Sequence, residues 1–100
     1  MIKITNKKIK SADNFLLPYL QYEPNSIQNN KSIIIIYEIF GLTNHIKSIA
    51  KEFAGNGFLV TIPDLFSRLE DNVNLPYDKV GFSKGLNLKK ALGWDLPVMD

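Results

Sequence analysis

Hydrophobic positions along this chain alternate between strand texture and helical repeat. The densest run, Ser32-Ile33-Ile34-Ile35-Ile36-Tyr37, holds four consecutive isoleucines and stops on Glu38. Four β-branched residues in a row predict a strand covered on both faces, as in a parallel sheet with helices above and below. The chain then turns through Ile39-Phe40-Gly41, and Thr43 or Asn44 offers an N-cap. Ile46, Ile49, Ala50, Phe53 and Ala54 follow at helical spacing, and Gly55 and Gly57 supply the stop. Phe58-Leu59-Val60-Thr61-Ile62 reads as a second buried strand, closed by Pro63-Asp64. Strand, helix and strand within about thirty residues form a βαβ crossover, whose two strands lie parallel.

Residues 2–5 and 15–22 read as two strands at a sheet edge, with a turn at Asp13-Asn14 between them. Glu23 to Lys31 is a polar loop. After Asp64 the period is lost, and Leu65 to Tyr77 is loop or short helix. Val80, Phe82, Leu86, Leu88 and Leu92 predict a helix from Lys79 to Leu92, weakened by two glycines. Gly93-Trp94-Asp95-Leu96-Pro97 reads as a helix stop and a new start, with Asp95 as N-cap and Pro97 in the first turn. An element begun there and not completed suggests a single partial α/β domain over residues 1–100, from a fragment or a truncated reading frame. Neither an internal repeat nor a domain boundary is visible.

Composition narrows the classes. With 45% hydrophobic and 11% aromatic residues, the chain has the apolar mass for a core. The net charge of +2 is weak. Lys3, Lys7, Lys8 and Lys10 lie on the polar side of Ile2, Ile4 and Ile9 without interleaved aromatics, so a solvated strand face is expected rather than a nucleic-acid surface. There is no cysteine, hence no disulfide, no thiolate nucleophile and no cysteine-based zinc site within these residues. A single histidine leaves no histidine metal cluster, and no metal or cofactor is expected. No apolar run approaches the length of a bilayer span, and Pro18 interrupts Phe15-Leu16-Leu17, so neither a membrane segment nor a signal peptide is expected. A soluble cytoplasmic protein is the default.

Candidate chemistry gathers at the strand exits. Ligands of open parallel sheets bind outside the carboxyl ends of the strands, where Glu38 stands. Glu38 either lines a site or accepts hydrogen bonds from backbone N–H groups at the next helix start. The Ile39 amide, just past the same strand end, is a candidate oxyanion donor for acyl transfer. Asp64 reads as a turn or cap, Arg68 as a ligand for an anionic substrate or, preferred, a surface partner of Glu70 or Asp71, and His45 as a surface or capping residue without a catalytic partner. Gly81-Phe82-Ser83-Lys84-Gly85 matches the G-x-S-x-G nucleophile elbow literally. An elbow needs a buried strand before it and an acid and a base after it; Pro76 to Val80 is too polar, and no histidine follows. Ser83 is therefore read as a chance match. Gly55-Asn56-Gly57 closes a helix and is not a dinucleotide loop.

Tyr37-Glu38-Ile39-Phe40-Gly41-Leu42, His45-Ile46-Lys47, Gly57-Phe58 and Pro63-Asp64-Leu65-Phe66-Ser67-Arg68 together resemble the dienelactone hydrolase family, whose name-giving activity is carboxymethylenebutenolidase. The resemblance runs through most of residues 12–100 and covers the N-terminal part, under half, of the family's domain. It implies the N-terminal portion of an α/β-hydrolase fold, a mostly parallel central sheet with flanking helices, here incomplete. It makes Glu38 the family's active-site glutamate, which contacts the nucleophilic cysteine and helps switch it to thiolate, and it makes the Ile39 amide part of the oxyanion hole. The family's G-x-C-x-G elbow and its triad aspartate and histidine fall beyond Asp100. The implied function is hydrolysis of a small-molecule ester or lactone through a nucleophile not in this chain, so the chain alone is expected to be inactive. The alternative is a non-catalytic remnant, or a half-domain that pairs its exposed sheet edge with a companion chain or a second copy. A mini-hydrolase using Ser83 ranks last.

Overall fold

Strand β4 (Leu59–Pro63) anchors the molecule: Val60 and Ile62 are completely buried while the residues between them are half-buried. Burying each such side chain contributes roughly 1.5–3 kcal/mol. The computed structural model describes residues 2–10, 12–26, 32–70 and 72–92. Around β4 the sheet runs β1 (Lys3–Lys10), β2 (Leu16–Glu23), β4, β3 (Ser32–Ile34). β1 and β2 form the expected antiparallel hairpin, with Lys3 opposite Glu23 and Lys10 opposite Leu16, and Asn14 takes the left-handed φ of +69° in its turn. β2 pairs antiparallel with β4, and β3 pairs parallel with β4. The described sheet is therefore mixed, its parallel character carried by the β3–β4 pair of the crossover.

Helix α1 (Asn44–Gly55) makes that crossover and packs Ile46, Ala50 and Ala54 towards β4 and β2. Thr43 is its N-cap: the side-chain oxygen accepts from the Ile46 N–H at 3.3 Å. A short 3-10 turn, Leu65–Arg68, follows β4, and helix α2 (Lys79–Leu92) spans the predicted residues. The core joins Leu17 and Tyr22 of β2, Val60 and Ile62 of β4, Ile46, Ala50 and Ala54 of α1, and Tyr37, Leu42, Leu65, Phe66, Val73 and Leu75 of the connecting segments.

Two expectations are corrected. The isoleucine strand is covered on one face only among the described residues: Ile34 and Ile36 are 66% and 60% exposed, while Ile33 and Ile35 turn inward. Its ladder is also short, ending with the Ile35 N–H donating to the Thr61 carbonyl at 2.9 Å. β1 runs five residues further than predicted, because Asn6, Lys7 and Lys8 satisfy their backbone in the hairpin while their side chains face solvent. Lys7 pairs across the ladder with Gln21 and Glu23. Arg68 reaches back to the hairpin turn, donating to both Asp13 carboxylate oxygens at 2.6 and 2.9 Å and lying 4.6 Å from the Phe15 ring centre; Asp71, one of its two expected partners, lies outside the described residues. Glu70 pairs with Lys84 instead. The proposed cap at Asp95 and Pro97 lies outside the described residues.

Candidate active site

Glu38 to Gly41 closes a β-turn through a hydrogen bond from the Gly41 N–H to the Glu38 carbonyl at 3.0 Å. Neither central residue, Ile39 or Phe40, has a positive φ, which fits type I geometry; Gly41 behind them sits at φ +82°. A strand that leaves its ladder at Ile35 thus reverses directly beyond the parallel pair, at the carboxyl edge of the sheet. The Ile39 N–H donates to no group among the described residues. An unpaired backbone donor at a strand exit is the arrangement an oxyanion requires. Glu38 beside it is exposed, and among the described residues no N–H reaches its carboxylate, so the capping alternative does not hold for it.

The turn is clamped from three directions. The first clamp is the segment Val73 to Leu75, where the Leu42 N–H donates to the Val73 carbonyl at 2.6 Å and the Leu75 N–H donates to the Phe40 carbonyl at 2.8 Å. Gly41 and Asn74 face each other in that short antiparallel bridge. Any side chain at Gly41 would strike the Val73 backbone, its Cβ overlapping the carbonyl oxygen and lying 2.8 Å from the carbonyl carbon.

The second clamp is a buried polar network. Tyr37 donates its hydroxyl proton to Asp64 Oδ1 at 2.7 Å and accepts from the Phe66 N–H at 2.6 Å. The other Asp64 oxygen accepts from the Asn72 N–H at 3.1 Å. Asp64 is only 3% exposed, so the acid is a structural tie between the two strand exits and the Val73 segment. Burial pushes the Tyr37 phenol well above its ordinary range; the Phe66 N–H opposes this, and the neighbouring Asp64 carboxylate adds to it. Tyr37 therefore stays a neutral donor throughout the physiological range.

The third clamp is aromatic. Phe40 meets the Tyr77 ring edge-on at 4.7 Å between centres and the Phe82 ring at 6.5 Å. The Tyr77 hydroxyl lies 2.7 Å from Thr43 Oγ1, joining this cluster to the cap of α1. Phe40, Tyr77, Asp78, Lys79 and Phe82 line a largely apolar cleft of about 300 Å³ beside the turn. An acyl or aromatic group could rest there within reach of the strand exit.

His45 and Ser83 are both exposed, and Ser83 lies inside helix α2 rather than on a strand-to-helix turn. Among the described residues no three His, Asp or Glu side chains are placed to share a metal ion, and no helix is long and apolar enough to cross a membrane. Sequence reasoning placed Glu38 and Ile39 beyond a strand's carboxyl end, where they lie in the fold, but missed the Tyr37–Asp64 tie and the Val73–Leu75 clamp. The tie had one sequence signal, a tyrosine and an acid each just past a run of apolar strand-forming residues.

Residues 17–89 match the family profile described as the dienelactone hydrolase family. A protein named "Putative carboxymethylenebutenolidase" from Saccharolobus solfataricus is 40% identical over 43 residues, which are 43% of this chain and 17% of that protein. A second protein of the same name, from Synechocystis, is 28% identical over 88 residues, 88% of this chain and 35% of its own length. The crystal structure of "Putative Dienelactone Hydrolase" from Klebsiella pneumoniae superposes with a TM-score of 0.62 at 23% identity, covering 87% of this chain and 36% of that one. At that identity the likeness is one of fold. The chain thus spans about a third or less of the length of these relatives.

Proposed function

Because this chain belongs to the dienelactone hydrolase family, we propose that it supplies the oxyanion-binding side of a cleft that hydrolyses esters or lactones. The carrying observation is the Ile39 N–H, unpaired among the described residues and held by a clamped turn at the exit of a parallel strand. Such a donor stabilises charge that develops on a carbonyl oxygen, typically by about 3 kcal/mol in the transition state. The attacking thiolate would come from a G-x-C-x-G elbow outside these hundred residues. Its sulfur adds to the ester carbonyl carbon, the carbonyl electrons move onto oxygen facing the Ile39 N–H, and collapse expels the alkoxide, which takes up a proton. Water then attacks the thioester, releasing the carboxylic acid and a proton that replaces the one taken up by the alkoxide, and restoring the thiolate. Glu38, exposed at the start of the same turn, governs the protonation of the incoming sulfur. A cytoplasmic setting, which keeps a thiol reduced, fits this chemistry.

The test is to read the DNA following codon 100 and compare two proteins: the hundred-residue chain, and the product that includes any downstream elbow. The short chain is expected to show no turnover of a p-nitrophenyl ester, and the longer product to hydrolyse it with a kcat that falls when Glu38→Gln is introduced. Hydrolysis by the short chain that disappears in Ser83→Ala would overturn this assignment.

A second reading is favoured by the outer edge of β3 and by exposed Ile34 and Ile36: a non-catalytic half-domain that joins its sheet to another strand. Sedimentation separates the two, since a stable monomer with cooperative melting excludes an obligatory partner.

A further inference from the structure

The glycine pair that imitates a nucleophile elbow has another use in this fold. Gly81 and Gly85 are four residues apart on the buried side of α2, while Phe82, Ser83 and Lys84 between them are exposed. Residues at that spacing share one helix face. A Cβ added at Gly81 would overlap the Pro76 carbonyl oxygen and lie 3.0 Å from its carbon. Added at Gly85, it would overlap the Ile39 carbonyl oxygen and lie 3.0 Å from the carbonyl carbon and 3.1 Å from the Ile39 Cβ. Both contacts are with backbone, which cannot swing aside as a long side chain would. The helix pattern does not call for these glycines, each of which costs about 1 kcal/mol relative to alanine in a helix interior. Their use lies in the approach they permit.

The Gly85 contact falls on the peptide unit next to the candidate oxyanion donor. Ile39 C=O meets α2, and Ile39 N–H belongs to the preceding peptide of the same closed turn. The Gly41-to-Glu38 hydrogen bond links the two peptides in one ring, and the bonds at Phe40 and Leu42 fix the far side of that ring to Val73 and Leu75. A push on the Ile39 carbonyl that α2 does not relieve by backing away is met by a rotation of the Glu38–Ile39–Phe40 segment, which re-aims the Ile39 N–H. The exposed serine that completes the motif takes no part.

We propose that Gly85 is a positioning residue for the Ile39 amide: its bare helix face sets how deeply the Glu38–Gly41 turn seats, and so where the donor points. This rests on the reading of Ile39 as the oxyanion donor. The paired glycine provides an internal control, because Gly81→Ala produces the same kind of backbone clash on the same helix face but against Pro76.

In the hundred-residue chain, Gly85→Ala is expected to displace the Ile39 cross-peak in a 1H–15N spectrum and to alter its hydrogen exchange. Gly81→Ala should leave that cross-peak in place while disturbing Tyr77 and Asp78. If either variant fails to fold, the unaltered protein still decides the contact, since the Gly85 α-protons should show cross-relaxation with Ile39 protons. An undisplaced Ile39 cross-peak in folded Gly85→Ala, or no cross-relaxation between the two residues, overturns the proposal and leaves the role of Ile39 intact. In the elbow-containing protein, Gly85→Ala should lower kcat about tenfold or more with KM within about twofold, as for a donor that acts in the transition state. A displaced cross-peak with kcat unchanged overturns both Gly85 and Ile39 in these roles.

Discussion

The two ends of the short strand β3 are held in opposite ways. Beyond its carboxyl end, the turn from Glu38 to Gly41 is fixed by a backbone bridge, a buried Tyr37–Asp64 pair, an aromatic cluster and a glycine-lined helix. Along the strand itself, the outer edge carries no neighbour in the described sheet and two isoleucines face solvent. Buried hydrogen bonds and close backbone approaches, which tolerate little error, concentrate around the turn that carries the candidate donor. The apolar, non-directional surface is left where a further layer could be laid down. Precision and stickiness are thus segregated within a few residues of one strand.

The largest effect should come from Gly41→Ala on the fixed side. Alanine there faces both a left-handed φ and the Val73 backbone, together worth about 3 kcal/mol. A urea titration should show the loss in midpoint, whereas a change below about 1 kcal/mol would mean the bridge to Val73 yields easily. Tyr37→Phe comes next. It leaves the Phe66 N–H without its acceptor and removes one donor from Asp64, a cost of about 2 kcal/mol. It also carries a pH signature. The folded phenol titrates above its unfolded value of 10.0, so the protonated form is favoured by folding. The stability tied to it is complete below pH 10 and declines as pH rises beyond, towards the raised folded value. Denaturation midpoints between pH 9 and the alkaline limit should fall less steeply in Tyr37→Phe than in the parent; parallel slopes would contradict a buried neutral phenol. The smallest effect belongs to the open side: Ile36→Thr should alter the chain's stability by no more than about 0.5 kcal/mol. A larger loss that depends on protein concentration would show that this face is already covered by a second copy.

Much of this layout is legible in the residues, with the failures equally instructive. The crossover, the Thr43 cap and helix α2 follow from local periodicity and capping, which act within a few residues. The isoleucine run misleads because an uninterrupted apolar stretch reports that both faces suit an apolar environment, not that both are covered by the described residues. Arg68 and Asp13 meet across 55 positions, a distance at which sequence offers no pairing rule. Glu38 and Ile39 could be found from their place at a strand exit together with the family resemblance. The motif of Gly81 and Gly85 was rightly rejected as an elbow, but its use depended on which backbone lies opposite α2, and only the fold supplies that.

The Asp13–Arg68 contact has a mechanical consequence. It rivets the tip of the first hairpin to the exit of the central strand, while β1 itself buries little and hangs from β2 alone. Under thermal agitation the outer ribbon can therefore unzip from the end opposite its turn and re-zip against the rivet without loosening the Glu38–Gly41 loop, so the earliest opening of this ribbon is insulated from the candidate site.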